Sequence, residues 1–184
     1  MHPNIERVLF SQEDIELRVA QMGAQITDDF GEAVERGEQI VLVSVLRGAA
    51  MFMSDLARHI ALPMAMDYMV VSSYGNSTRS SGEVRILKDM SEAVEGKHII
   101  IAEDVIDSGL TLRYLLNLFA DRGAASVTVC AFLRKEVENQ IDVHPRYVGF
   151  ECPNDFVVGY GLDYAERYRN LPYVGVLKPE VYSK

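Results

Sequence analysis

The chain has 184 residues, 48% of them hydrophobic and 24% charged, with a formal net charge of −9. That length suits one domain, residues 1–184, with a sizeable core, and the acidic balance argues against a nucleic-acid partner. No apolar run reaches membrane-span length, and the opening MHPNIERVLFSQEDIE lacks the basic flank and apolar core of a signal peptide, so a cytoplasmic protein with no membrane partner is expected.

Ser11, with Glu13 and Asp14 in the turn after it, marks a helix start. Apolar positions at Ile15, Leu17, Val19, Met22, Ile26 and Phe30 carry the helix towards Val34, and Gly37 stops it. Ile40–Leu46 is apolar apart from Ser44, the pattern of a strand buried on both faces of a parallel sheet. Gly48–Ile60 reads as a helix, and Pro63 precedes a strand over Met64–Val71. Ser72–Glu83 is rich in Ser, Gly, Asn and Thr and is expected to be a mobile loop, with Val84–Leu87 as a short returning strand. Further strands are expected at Ser126–Leu133, Tyr147–Phe150, Phe156–Tyr160 and Val174–Leu177. Strands alternating with helices give an α/β fold with a mainly parallel twisted sheet flanked by helices. The cysteines, Cys130 and Cys152, lie far apart near expected strands and read as free thiols.

The most informative stretch is His98–Leu118. An apolar strand ends in Glu103 and Asp104; a loop of small and hydroxyl residues follows, and then a helical pattern. Amides at such a helix start bind anions, because the orphan donors and the helix dipole point the same way. Acids ahead of the loop suit sugar hydroxyls or a metal ion. One segment thus offers a phosphate pocket beside a diol or metal site. Without a ligand it is a plain strand–helix turn with Asp107 or Ser108 as the cap.

Glu103-Asp104-Val105-Ile106-Asp107-Ser108-Gly109-Leu110-Thr111 resembles the motif by which type I phosphoribosyltransferases bind 5-phosphoribosyl 1-pyrophosphate (PRPP). The resemblance implies that Glu103 and Asp104 hold the ribose hydroxyls or a metal ion, and that residues 107–111 clasp the 5′-phosphate. Asp107 would be the general base. Val45-Leu46-Arg47-Gly48-Ala49 is similar to the family's pyrophosphate loop, where backbone amides bind and a non-proline cis peptide is frequent; here that bond is Leu46-Arg47. Many relatives carry Lys where this chain has Arg47, and the two cations differ in geometry. Ser73-Tyr74 matches the pair in the family's flexible lid, although composition alone favours an idle surface loop.

The C-terminal third narrows the resemblance. Asp155-Phe156-Val157-Val158-Gly159-Tyr160-Gly161-Leu162-Asp163-Tyr164, then Arg169-Asn170-Leu171-Pro172-Tyr173 and Gly175-Val176-Leu177-Lys178-Pro179, are similar to the purine-binding hood of the hypoxanthine and hypoxanthine-guanine branch. That hood would comprise about residues 150–184 plus N-terminal elements. Phe156 would stack on the purine, Lys135 would donate to its 6-oxo oxygen, and the Val157 backbone would read the base edge. Arg169 would pair with pyrophosphate, together with Arg47 and Gly48. Asp163, with Glu103 and Asp104, would hold Mg²⁺. Taken singly, Phe156 is a core residue, Lys135 and Arg169 are surface charges, and Asp163 caps a helix near Tyr164. The implied reaction joins PRPP to N9 of hypoxanthine or guanine, by a homodimer or homotetramer. Preference for xanthine and an RNA-binding regulator on the same fold are the alternatives.

Overall fold

The computed structural model describes residues 1–73, 84–135, 141 and 143–183. The N-terminal segment forms a strand, β1 (Ile5–Phe10), that the sequence pattern did not announce. The helix α1 (Gln12–Glu35) follows, with Ser11 as its cap. Ser11 Oγ accepts from the Asp14 amide while the Asp14 carboxylate accepts from the Ser11 amide, a reciprocal capping box. Ile15, Val19, Met22, Ile26 and Phe30 are buried along one face. Leu17 is 63% exposed, which corrects its place in that stripe: two residues from Ile15 it is turned about 200° around the helix.

Next come β2 (Ile40–Val45), α2 (Ala50–His59), β3 (Ala65–Ser73) and β4 (Val84–Lys88). Then follow β5 (His98–Ile106), α3 (Leu110–Asp121), β6 (Ser126–Lys135) and β7 (Tyr147–Cys152). The chain closes with β8 (Val157–Val158), β9 (Val174–Leu177) and α4 (Pro179–Tyr182). Two expectations shift here. The expected strand Phe156–Tyr160 shrinks to Val157–Val158, because Gly159, Tyr160 and Gly161 all take positive φ and turn the chain. No helix starts near Tyr164; Asp163 Oδ2 accepts the Glu166 amide in a turn instead.

The larger sheet runs β4-β3-β2-β5-β6-β7, parallel except for β4. Alternation along its central strands divides the core in two. Ile40, Leu42, Ile100, Ala102, Cys130 and Phe132 pack against α1 and α2. Val41, Val43, Ile99, Ile101, Val129 and Ala131 pack against α3. Both cysteines are free and buried, as expected. The smaller sheet, β1-β9-β8, is antiparallel and joins the two chain ends.

This topology places the crevice. After β2 the chain leaves for α2 on one face; after the adjacent β5 it leaves for α3 on the other. Loops that part to opposite faces at neighbouring strand ends leave an opening between them, the usual ligand position in such sheets.

Candidate active site

Three neighbouring strand tips supply the site. Arg47 and Gly48 follow β2, Glu103–Thr111 spans the end of β5 and the start of α3, and Lys135 is the last residue of β6. Strand β5 runs further than its apolar run suggests: Glu103 and Asp104 lie within it, and Glu103 pairs in register with Ala131. Desolvation pushes the Glu103 carboxyl well above the usual range, and neighbouring Asp104 adds to the shift. Desolvation also raises Asp104; amides of Val105 and its own residue oppose this, Arg169 lowers it and Asp163 raises it. Asp104 is thus within electrostatic reach of two residues from the other end of the chain.

Asp107 and Ser108 are exposed in the turn after β5, and α3 begins at Leu110. The cap is Gly109, with φ +79°, so neither Asp107 nor Ser108 fills that role. A left-handed cap favours glycine. Ser108 Oγ accepts from the Leu110 amide at 3.4 Å, at the N-terminus of α3, where backbone amides suit an anion. The desolvated carboxylates are Glu103 and Asp104, while Asp107 is exposed.

The Leu46-Arg47 peptide is cis. Gly48 lies against Asp104: a Cβ built on it would fall 1.6 Å from Asp104 Oδ2. On the other side a Cβ on Gly161 would fall 2.0 Å from the Gly48 carbonyl oxygen. The Arg47-Gly48 loop is therefore clasped between β5 and the turn leaving β8.

That turn brings in the remaining residues. The Gly161 amide donates to the Arg169 carbonyl (2.9 Å), and Arg169 Nη1 donates to the Gly161 carbonyl (2.8 Å). Arg169 Nη2 also pairs with Asp163 at 2.8 Å. Its Nε is buried with no hydrogen-bond partner among the described residues. A buried donor without a partner can take an acceptor from a ligand.

The base side is equally ordered. Lys135 Nζ donates to the Asp155 carbonyl at 2.9 Å, which tethers its ammonium next to Phe156 in sequence. Phe156 is 38% exposed and stacks on Tyr182 at 4.8 Å and 20°, with Tyr164 against its edge. Val157 pairs with Val176 while the Leu177 amide donates to the Phe156 carbonyl. Val157 therefore sits at a non-hydrogen-bonded position, and β8 is the sheet edge, so its own N–H and C=O face outward. Tyr182, which sequence reasoning missed, backs the Phe156 ring; its distance along the chain gave no signal.

Glu103, Asp104 and Asp163 do not form a closed ligand set: among the described residues no three His, Cys, Asp or Glu side chains are grouped to hold a metal ion alone. Yet Glu103, Asp104, Asp163 and Glu166 outnumber Arg47 and Arg169 here. A diphosphate entering this acidic setting needs a cation with it, and Mg²⁺ is usually bound through one or two carboxylates plus substrate phosphates. The donor set fits that use. Ser73 ends β3; Tyr74 of the expected lid lies outside the described residues.

Residues 9–165 match the phosphoribosyl transferase domain family. The hypoxanthine-guanine phosphoribosyltransferase of Bacillus subtilis is 52% identical over 183 residues, covering 100% of this chain and 99% of that protein. A crystal structure of a hypoxanthine phosphoribosyltransferase from Staphylococcus aureus superposes with a TM-score of 0.93 at 44% identity, covering 100% of this chain and 97% of that one. The hypoxanthine phosphoribosyltransferase of Trypanosoma cruzi, solved with the product IMP, gives 0.91 at 38% identity, with 99% of each chain covered.

Proposed function

The chain belongs to the hypoxanthine-guanine phosphoribosyltransferases of the phosphoribosyl transferase domain family, and from that membership we propose how its residues share the work. It transfers the 5-phosphoribosyl group of PRPP to N9 of hypoxanthine or guanine, releasing pyrophosphate and giving IMP or GMP, a purine-salvage reaction. The observation that carries the assignment of roles is the clasp of Gly48 between Asp104 and Gly161, which gathers β2, β5 and the turn after β8 around one opening.

In this reading the amides and hydroxyls of Ser108, Gly109, Leu110 and Thr111 hold the 5′-phosphate at the start of α3. Glu103 and Asp104 take the ribose 2′ and 3′ hydroxyls. As the bond from C1′ to the diphosphate oxygen breaks, positive charge grows on the sugar, and these carboxylates stabilise it. Arg47, the Gly48 amide and the Arg169 guanidinium receive the diphosphate. Glu103, Asp104 and Asp163 would hold Mg²⁺, which would supply positive charge to offset that of the leaving group. Phe156 stacks on the purine, Lys135 donates to O6, and the outward Val157 backbone reads the base edge. Asp107 accepts the purine proton as N9 bonds to C1′. A lid containing Ser73 and Tyr74 excludes water from the cationic sugar.

The purine-type hood is the β1-β9-β8 sheet with the turn that follows β8, and residues 1–184 act as one catalytic unit, as a homodimer or homotetramer. Its two free, buried thiols suit the cytoplasm. Lys135 can only donate, so a 6-oxo group is accepted and a 6-amino group refused. Neither xanthine preference nor RNA regulation is favoured. The test is a base panel with PRPP and Mg²⁺: hypoxanthine and guanine give nucleotide and adenine does not. Adenine turnover equal to that of hypoxanthine refutes the role of Lys135.

A further inference from the structure

We propose that Glu166 is a positioning residue that competes with the diphosphate for its cations, Arg47 and Arg169. The inference rests on the reading of Arg47 and Arg169 given above. Glu166 lies in the turn after Asp163, where Ala165 and Glu166 have φ of +50° and +62°. Successive non-glycine residues in the left-handed region are uncommon, and such geometry gathers at working sites. The turn is held by the Glu166 amide donating to Asp163 Oδ2 at 2.9 Å.

Its consequence is the placement of one carboxylate between two cations from distant parts of the chain. Glu166 Oε2 accepts from Arg47 Nη1 at 2.5 Å and lies 3.5 Å from Arg169 Nη2. Both guanidinium groups that the diphosphate needs are thereby turned towards one anion. Glu166 is 61% exposed, so its hold is weak enough to be exchanged for a multiply charged ligand. Asp163 keeps its shorter contact with Arg169, so that cation stays in place when Glu166 lets go. The carboxylate offsets the charges of Arg47 and Arg169 and competes with the diphosphate for both. Competition of this kind favours release of the product pyrophosphate.

The test is inhibition by magnesium pyrophosphate of the purified enzyme and its Glu166→Gln and Glu166→Asp variants at low and high salt. Glu166→Gln removes the competing charge and is expected to tighten pyrophosphate about 1.5- to fivefold, the scale of exposed ion pairs, with the KM for hypoxanthine unchanged. The gain shrinks at high salt, because exposed pairs are screened, and Glu166→Asp falls between the two. Equal or weaker pyrophosphate inhibition in a folded Glu166→Gln enzyme overturns the proposal. An Arg169→Ala arm separates the two levels. Loss of pyrophosphate affinity there, without tightening in Glu166→Gln, refutes only the role of Glu166. No change in Arg169→Ala refutes the diphosphate site itself.

Discussion

Gly48 has no room for a side chain, because Asp104 Oδ2 occupies the place its Cβ would take. Gly48→Ala must displace either the Asp104 carboxylate or the loop from β5, and either shift moves a group given a role in the site. A displacement of about 1 Å costs on the order of 100-fold in rate, so kcat/KM for PRPP is expected to fall at least that far. Steady-state kinetics check this, and a variant within threefold of the parent contradicts it. Asp107 stands exposed between the acids and the phosphate turn. Asp107→Asn keeps shape and removes the base, so kcat drops about 10²- to 10⁴-fold while binding of PRPP is retained. Unchanged kcat takes Asp107 out of the chemistry.

At the scale of elements, β3 is secured by a carboxylate outside the site. Asp67 is 7% exposed and accepts from the amides of Tyr68, Ser91 and Glu92 at 2.7, 2.6 and 3.0 Å, with Lys88 Nζ at 3.4 Å. Burial alone would raise its pKa, but the amides of Glu92, Tyr68 and Ser91 and the Lys88 ammonium outweigh it and hold the carboxyl below its ordinary value. The group thus ties the loop before β5 to β3. Asp67→Ala leaves three amides without their carboxylate acceptor and is expected to cost about 1.5–3 kcal/mol in urea unfolding. Because the folded pKa is depressed, the stabilisation is present above the unfolded value of about 4 and is lost as pH falls through the folded one. The difference between parent and variant should narrow below about pH 4; a difference that stays constant to pH 3 contradicts the account.

At the scale of the whole molecule, the site exists because the chain ends return to the middle. Ile5 pairs with Leu177 in the smaller sheet, and Tyr160 Oη donates to Asp55 of α2 at 2.8 Å, fixing the turn after β8 over the β2 loop. The parallel core was legible because strands buried on both faces leave continuous apolar runs, as in Ile40–Val45 and Ile99–Ala102. The turn between β5 and α3 was legible because small and hydroxyl residues sit between an apolar strand and a helical pattern. β1 escaped notice because its burial does not alternate and its partner lies some 170 residues away at Leu177. Glu166 and Tyr182 escaped for a related reason: their contacts depend on positive-φ turns and distant pairing that no local period records. The most direct test of the central claim is a crystal structure of the enzyme with IMP, Mg²⁺ and pyrophosphate. The account predicts the 5′-phosphate on the amides of residues 108–111, O6 on Lys135 Nζ, the ring on Phe156, and pyrophosphate between Gly48 and Arg169. A nucleotide whose phosphate lies away from the start of α3, or whose base lies away from Phe156, contradicts it.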